Sequence, residues 1–206
     1  MRKASYLIRI GEDLMEILLA TNNQGKIREM KEMMGEMGIT VYSLKDKGIA
    51  IEVEEDGTTF EENAIKKASE ISKISGMITV SDDSGIEIYA LDMKPGIYSA
   101  RYAGENPTDE EMCAKVLEEM EGKEDRRARY VSVVALVYPD GKTKTFRGEC
   151  YGTLTHERIG TEGFGYDPIF FYEDFGKTLG EVSLELKNTI SHRAKALKLL
   201  KEYFEK

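Results

Sequence analysis

Met77-Ile-Thr-Val-Ser-Asp-Asp-Ser-Gly-Ile86 is the stretch of sequence that decides the fold. Its first half is a short run rich in β-branched residues, which is typical of a buried strand. Two adjacent carboxylates follow directly, and the Ser-Gly pair after them predicts a turn. A desolvated carboxylate is costly unless it has a partner, so two acids at the end of a buried strand indicate a site that holds a cation.

Two further polar clusters lie upstream of this stretch. Glu52-Val-Glu-Glu-Asp-Gly57 is a second acidic run, for which a solvated edge is the default interpretation. Alternation would place Glu52 and Glu54 on one face and Glu55 nearer the turn. Thr21-Asn-Asn-Gln-Gly-Lys26 lies between a predicted strand and a predicted helix. Such a turn can present backbone N–H groups, a helix N-terminus and a lysine to an anion.

The Thr21–Lys26 turn is not a Walker A loop, because Ile27 rather than Ser or Thr follows the lysine. A plain capped turn would explain the same residues without any ligand. Together with the two acidic runs, the turn favours chemistry on a nucleotide polyphosphate. Carboxylate oxygens suit a hard metal ion, and the lysine suits a phosphate.

Asp82 and Asp83 are expected to have different roles, because neighbouring side chains of an extended strand point to opposite faces. One of them should meet the metal or the attacking water, and the other should support it or be structural. Asp83 is favoured as the functional acid because it borders the predicted Ser84-Gly85 turn. The alternative is that both acids only cap the end of a strand.

The composition is that of an ordinary globular protein. The 206 residues are 41% hydrophobic and 33% charged, which suits one domain with a sizeable core. A formal net charge of −9 and the lack of a long basic stripe argue against a nucleic-acid polymer as the main partner, but not against a small anion. Cys113 and Cys150 predict two reduced thiols in a cytoplasmic protein. Ile17-Leu-Leu-Ala20 is too short to span a membrane, and we expect no signal peptide.

Helical and strand patterns alternate along the chain, which predicts an α/β layered fold. The predicted strands are Glu16–Ala20, Gly38–Tyr42, Tyr130–Tyr138, Lys142–Leu154 and Ile169–Phe171, with a hairpin turn at Pro139-Asp-Gly141. Apolar stripes predict three of the helices. The stripes are Ile27, Met30, Met34 and Met37; Phe60, Ala64, Ala68 and Ile71; and Ala194, Leu197, Leu200 and Phe204.

Thr-x-x-Glu capping boxes predict helix starts at Thr59 with Glu62 and at Thr108 with Glu111, and Ser191 is expected to cap the last helix. Residues 1–14 precede Met15 and the first convincing strand. We expect them to be a dispensable N-terminal extension, or the product of an upstream start codon. Residues 15–206 are expected to form one domain.

Other residues are candidates for ligand contacts. Lys67 shares a helix face with Asn63 and could reach a phosphate, although an exposed lysine is the simpler alternative. Gly163-Phe-Gly-Tyr-Asp-Pro168 combines glycines with aromatic rings that could stack on a base, or it could be a turn that anchors Phe164 in the core.

Lys187 precedes the last helix, and His192 and Arg193 lie in its first turn. Cations at a helix N-terminus oppose the macrodipole, so they indicate a ligand or a carboxylate nearby. His156 has no such context and is expected on the surface.

Six motifs in order resemble the inosine/xanthosine triphosphate pyrophosphatase family of house-cleaning enzymes, from about residue 16 to the C-terminus. They are Ala20–Lys26, Thr59-Phe-Glu-Glu-Asn-Ala64, Ser81-Asp-Asp-Ser-Gly85, Pro95-Gly-Ile-Tyr-Ser-Ala-Arg-Tyr-Ala-Gly104, Gly163–Pro168 and Ser191-His-Arg193. Asn22 stands where many members have Gly. The resemblance implies Mg²⁺-dependent hydrolysis of ITP, dITP and XTP to the monophosphate and pyrophosphate. It also implies a homodimer and an elongated mixed sheet flanked by helices, with the site in a cleft between two lobes.

The resemblance also implies roles for particular residues, which join those inferred from the sequence itself. Asp83 is the implied catalytic acid or base, and Mg²⁺ is expected among Glu54, Glu55, Asp82 and Asp83. The implied nucleotide contacts are Thr21, Asn22, Asn23, Gln24, Gly25, Lys26, Ser84 and Lys187, to which Lys67 is added as a phosphate contact. The implied base pocket is Phe164, Gly165, Tyr166, Asp167, His192 and Arg193.

This reading agrees with the chemistry of the bases. Hypoxanthine and xanthine carry a 6-oxo acceptor where adenine carries an amino donor. Donors from His192 or Arg193 would be left unpaired against adenine, and unpaired buried polar groups discriminate strongly. Two alternatives remain open at this stage: a pyrophosphatase for modified pyrimidine nucleotides, and a nucleotide-binding protein without catalysis. A zinc-type site is disfavoured because there is no His/Cys cluster.

Overall fold

A computed structural model of the protein describes residues 9–10 and 13–205, with side chains from residue 15 onward. Most of the predicted extension, residues 1–14, therefore lies outside the described residues. The structure describes from it only β1 (Arg9–Ile10) and β2 (Asp13–Leu14), which pair with each other antiparallel. Both the dispensable extension and the single domain stay predictions.

The remaining described strands and helices alternate along the chain. The strands are β3 (Glu16–Leu19), β4 (Thr40–Ser43), β5 (Thr79–Ile88), β6 (Arg127–Val137), β7 (Thr143–Leu154), β8 (Phe170–Tyr172) and β9 (Lys177–Thr178). The α-helices are α1 (Gln24–Glu36), α2 (Phe60–Ser75), α3 (Asp109–Glu119), α4 (Leu184–Lys187) and α5 (His192–Phe204). Every predicted strand and striped helix is present, with bounds shifted by a few residues.

The strands from β3 to β9 form one mixed sheet in the order β4-β3-β5-β6-β7-β8-β9. β3 pairs parallel with both β4 and β5, whereas β8 pairs antiparallel with β7 and β9. Parallel neighbours require crossover connections, which α1 and α2 supply. The predicted α/β fold is therefore confirmed, as is the hairpin of β6 and β7.

The described residues divide into two compact units. The first comprises the described residues up to Asp83, Val133–Arg147 and those from Arg193 on. Its main core packs β3 and the methionines of α1 against the inner face of α5. The buried members include Ile17, Leu19, Met30, Met34, Met37, Val134, Leu197 and Leu200. The predicted stripe of α2, from Phe60 to Ile71, is also buried.

The second unit comprises Ser84–Ser132 and Gly148–His192. Its core gathers apolar residues from β5, α3, β6, β7 and β8. The members include Ile86, Ile88, Met112, Val116, Tyr130, Leu154, Phe170 and Leu179. Cys113 and Cys150 are buried in the same core and form no disulfide, which agrees with the predicted reduced thiols.

The two capping boxes differ. At α3 the box is complete, because Thr108 and Glu111 each accept from the other's backbone N–H group. At α2 only half of the box forms: Thr59 Oγ1 accepts from Glu62 N, but the Glu62 carboxylate accepts from the N–H and hydroxyl of Thr58. Both helices nevertheless begin where the sequence predicted.

The predicted turn at Ser84-Gly85 is wrong. β5 continues to Ile88, so the two acids lie in the middle of a strand and are buried there. Gly85 serves close packing instead, because a Cβ at this position would lie 2.3 Å from both Gly96 O and Ser99 Oγ. None of the helices in the described part of the chain has the length and apolar character needed to cross a membrane.

Candidate active site

The two acids of β5 have separate partners, in agreement with their predicted placement on opposite faces. The Asp82 carboxylate contacts Lys26 Nζ at 2.9 Å and Arg193 Nη2 at 3.1 Å. The Asp83 carboxylate contacts Lys67 Nζ at 3.2 Å. The two acids are 0% and 4% exposed, so neither is a surface cap.

Lys67 is the centre of the cluster around Asp83. Its Nζ lies 2.7 Å from Glu55 Oε1 and 3.2 Å from Asp83 Oδ1, and it donates to the Asp82 carbonyl at 3.1 Å. Burial acts to lower the pKa of Lys67, but the charges of Asp83 and Glu55 outweigh it, and the pKa is raised. The alternative of an exposed lysine is therefore wrong.

Only one of the two carboxylate oxygens of Asp83 has a hydrogen-bond donor among the described residues. Oδ1 meets Lys67, whereas Oδ2 is buried and receives no hydrogen bond from the described residues. Burial raises the pKa of Asp83, although the charges of Lys67 and Lys26 act against that shift. A buried acid of raised pKa with one unused oxygen suits a proton acceptor or a cation ligand better than a structural role.

The acidic loop that carries Glu54 and Glu55 is fastened to α2. Asn63 Oδ1 accepts from Gly57 N at 2.8 Å, and Lys66 Nζ binds the Asp56 carboxylate at 2.7 Å. Glu55 is half-buried and faces Lys67, whereas Glu54 is exposed. The default interpretation of this run as a solvated edge is therefore wrong for Glu55.

The fit of these acids to a metal ion can be judged from their contacts. No group of three or more Asp, Glu, His or Cys side chains with the spacing of a metal site occurs within residues 9–10 and 13–205. Glu55 and Asp83 do share Lys67, and Asp83 Oδ2 is unused, so this pair fits a hard cation. Asp82 is instead committed to two basic side chains. The four-residue metal set stays a prediction.

The turn before α1 has the predicted form. Asn23 is the N-cap of the helix, and its Oδ1 accepts from Lys26 N at 3.0 Å. Thr21 Oγ1 accepts from Asn23 N, and Gln24 Nε2 donates to the Asn22 carbonyl. The first turn of α1 contains no acidic residue, so the positive end of its macrodipole is available to an anion.

Arg193 belongs to a buried network in the first unit. Its guanidinium bonds to Glu29 and to Asp82, and all three side chains are at most 1% exposed. The burial of Arg193 opposes its charge, but the two carboxylates outweigh this effect and raise its pKa. Sequence reasoning missed Glu29, although it lies three residues after Lys26 on α1 and therefore on the same helix face.

In the second unit, Asp167 organises the glycine-rich loop. Its Oδ2 accepts from Phe164 N at 2.9 Å and from Lys187 Nζ at 2.6 Å. The Lys187 ammonium also lies 4.6 Å from the centroid of the Phe164 ring. Gly163 has a φ of +76°, and a Cβ there would lie 2.1 Å from Asp167 Oδ2, so only glycine fits.

The other candidates of this unit have varied surroundings. His192 is buried and stacks on Tyr130, a residue that sequence reasoning missed because an aromatic residue in a strand is usually core. Tyr166 is buried and donates to the Ser99 carbonyl at 2.7 Å. Ser84 is half-buried next to Asp83 on β5. His156 is exposed, as predicted.

Comparison with known proteins gives the family. A sequence model of the Ham1 family matches residues 17–203. This chain belongs to the Ham1 family, which confirms the resemblance drawn from the six motifs.

Relatives and solved structures cover nearly the whole chain. A dITP/XTP pyrophosphatase of Geobacter sulfurreducens is 49% identical over 189 residues, 91% of this chain and 95% of the relative. One of Bacillus licheniformis is 50% identical over 187 residues, 90% of this chain and 95% of the relative. The Staphylococcus aureus Ham1 protein structure is 43% identical, with a TM-score of 0.83, and covers 92% of this chain and 98% of its own. A Coxiella burnetii HAM1 protein structure is 38% identical, with a TM-score of 0.85, and covers 93% and 99%.

Proposed function

We propose that the protein hydrolyses the non-standard purine nucleotides ITP, dITP and XTP to the monophosphate and pyrophosphate, and so cleanses the nucleotide pool. The enzyme class, a nucleoside-triphosphate pyrophosphatase, follows from the family and from relatives that bear that name over about nine-tenths of this chain. The substrate is accordingly a small nucleotide.

One observation carries the proposal: Lys67 joins Glu55 and Asp83 inside the protein, and Asp83 Oδ2 is left unused. Taking a lysine and two acids out of water costs free energy, and groups with perturbed pKa values cluster at functional sites, so this arrangement favours a ligand site over a structural ion pair. Phosphate oxygens would be met by Lys67, Lys26 and the N–H groups at the start of α1, and a cation by Glu55 and Asp83.

We assign the metal as Mg²⁺, with Glu55 and Asp83 as the members of the predicted set that hold it, and Glu54 and Asp82 supporting them. When bound, Mg²⁺ supplies positive charge that offsets the charge gathering on the phosphate oxygens. The fit rests on oxygen donors alone, which suit this ion.

The residues of this chain supply the remaining chemistry at the α-phosphorus. Asp83 accepts the proton of the attacking water, and its buried position keeps the carboxylate from bulk solvent. Lys26 and Lys67 offset the charge of the triphosphate and of the leaving pyrophosphate. Asp82 holds Lys26 and Arg193 in place.

We assign recognition of the base to the glycine-rich loop Gly163–Pro168 with His192 and Arg193, as the resemblance implies. Phe164 stacks on the purine, while Gly165, Tyr166 and Asp167 shape the loop that presents it. His192 donates to the 6-oxo group, and Ser84 and Lys187 contact the nucleotide. The resemblance implies that Arg193 donates to the base as well. We also propose a homodimer and a cytoplasmic location, as the resemblance implies. Light scattering coupled to gel filtration tests the dimer.

A substrate panel tests the proposed function. With Mg²⁺, pyrophosphate should be released from ITP, dITP and XTP, and ATP should be a poor substrate. Enzyme-coupled detection of pyrophosphate, run in parallel with detection of orthophosphate, distinguishes the cleavage sites. Orthophosphate without pyrophosphate, or equal turnover of ATP, would contradict the proposal. Chelation of the metal should stop turnover, and added Mg²⁺ should restore it.

A further inference from the structure

Three contacts converge on Tyr130, a buried residue of β6. Its ring stacks on the His192 imidazole, with centroids 4.7 Å apart and planes 11° from parallel. Its hydroxyl donates to Asp167 Oδ1 at 3.3 Å. Its ring also packs against Phe170, whose ring centroid is 4.6 Å away. The residue is 6% exposed, so these contacts lie inside the second unit.

The contacts join two segments that are far apart in sequence. Asp167 belongs to the glycine-rich loop, where it also holds Phe164 N and Lys187 Nζ. His192 is the first residue of α5. Tyr130 lies on a strand of eleven residues that pairs with a neighbouring strand on each side. Its backbone is therefore held more rigidly than that of the loop or the helix end, and it can fix the positions of Asp167 and His192.

We propose that Tyr130 is a positioning residue for base selection, its ring orienting the His192 imidazole and its hydroxyl linking that imidazole to the Asp167 loop. The inference rests on the proposed function and extends it to a residue that touches neither base nor phosphate. Offset aromatic pairs of this kind change an equilibrium by about two- to twelvefold. The hydrogen bond to Asp167, at 3.3 Å, is longer than the usual range of about 2.5–3.0 Å for O–H···O, so the stack should matter more.

The first test is spectroscopic and needs no substrate. The chain has two histidines, and a His156→Gln variant leaves only the His192 imidazole visible in proton spectra. Ring current from Tyr130 should shift the His192 ring protons upfield in this variant. The shift should persist when Tyr130→Phe is added and disappear when Tyr130→Met is added. An unshifted His192 signal beside the native Tyr130 would overturn the inference without any variant at that position.

The second test is kinetic, and it compares kcat/KM for ITP with kcat/KM for ATP. Tyr130→Phe keeps the ring and should keep the ratio within about twofold. Tyr130→Met keeps the apolar bulk but loses the ring, and should lower the ratio by about two- to twelvefold. A purely structural tyrosine would lower the melting temperature of the Met variant without changing the ratio. That result would overturn only the inference, whereas a wild-type enzyme with no preference for ITP would overturn the proposed function as well.

Discussion

At the scale of single residues, the strand position decides what each of two neighbouring aspartates does. Asp82 binds Lys26 and Arg193, and Asp83 binds Lys67. The alternation of a strand is enough to separate the two carboxylates, since one step along the chain changes the face. The same sequence pair therefore supplies one acid held by Lys26 and Arg193 and one that shares Lys67 with Glu55.

Exchange of each aspartate for asparagine should give different losses. Asp83→Asn removes the proposed proton acceptor, so kcat should fall at least about a hundredfold while the melting temperature changes little. Asp82→Asn withdraws a buried charge from Lys26 and Arg193, so it should lower the free energy of unfolding by about 3–5 kcal/mol. Steady-state kinetics and urea unfolding of both variants check this. A near-normal rate for Asp83→Asn with a lost rate for stable Asp82→Asn would reverse the assignment.

Arg193 should affect both stability and selectivity. Arg193→Ala removes a guanidinium from Glu29 and Asp82, which are both buried, and should cost about 3–5 kcal/mol of stability. If Arg193 also donates to the base, the preference for ITP over ATP should narrow by about 1–3 kcal/mol. Kinetics are measured below the melting temperature of the variant. An equal loss with both nucleotides would exclude a contact with the base.

At the scale of elements, two glycines predict opposite effects of the same substitution. Gly85→Ala in β5 would place a Cβ 2.3 Å from the Gly96 carbonyl, and backbone cannot move aside cheaply. We expect a loss of about 1–3 kcal/mol. Gly35→Ala in α1 meets nothing within 4 Å, and alanine favours helix, so a gain of about 0.5–1 kcal/mol is expected. Urea unfolding of the two variants compares them directly, and equal effects would contradict the packing account.

Elements were easier to predict from sequence than the site was. Apolar periodicity predicts α1, α2 and α5, because a helix that packs one face against the core carries apolar residues every three or four positions. For Lys67 the sequence left both a phosphate contact and an exposed lysine open, because its acidic partners, Glu55 and Asp83, lie on other elements. The predicted Ser84-Gly85 turn is wrong because the sequence does not distinguish a glycine that allows close packing in a strand from a glycine that allows a turn. Tyr130 left no signal beyond that of a core residue.

At the scale of the whole molecule, the position at which the core begins determines how many N-terminal residues can be removed without loss of the fold. Met15 is the first residue of the core of the first unit, and the family match begins at residue 17. A chain that begins at Met15 should therefore keep its activity, and its melting temperature should fall by no more than about 4 °C, the shift expected for a loss of about 1 kcal/mol. Calorimetry and the pyrophosphate assay on both chain lengths check this. A much larger fall would show that residues before Met15 pack on the fold.

The buried thiols give the protein an internal reporter of opening. Both lie in the second unit, and burial raises the pKa of Cys113 to about 12, so almost no Cys113 thiolate exists at pH 8 in the folded chain. Alkylation should then proceed only during excursions that expose this core, and its rate measures their frequency. Labelling that outpaces the loss of overall secondary structure under mild denaturant would show that the second unit opens by itself. If a nucleotide slows the labelling, it binds the folded protein, and this can be measured without following its hydrolysis.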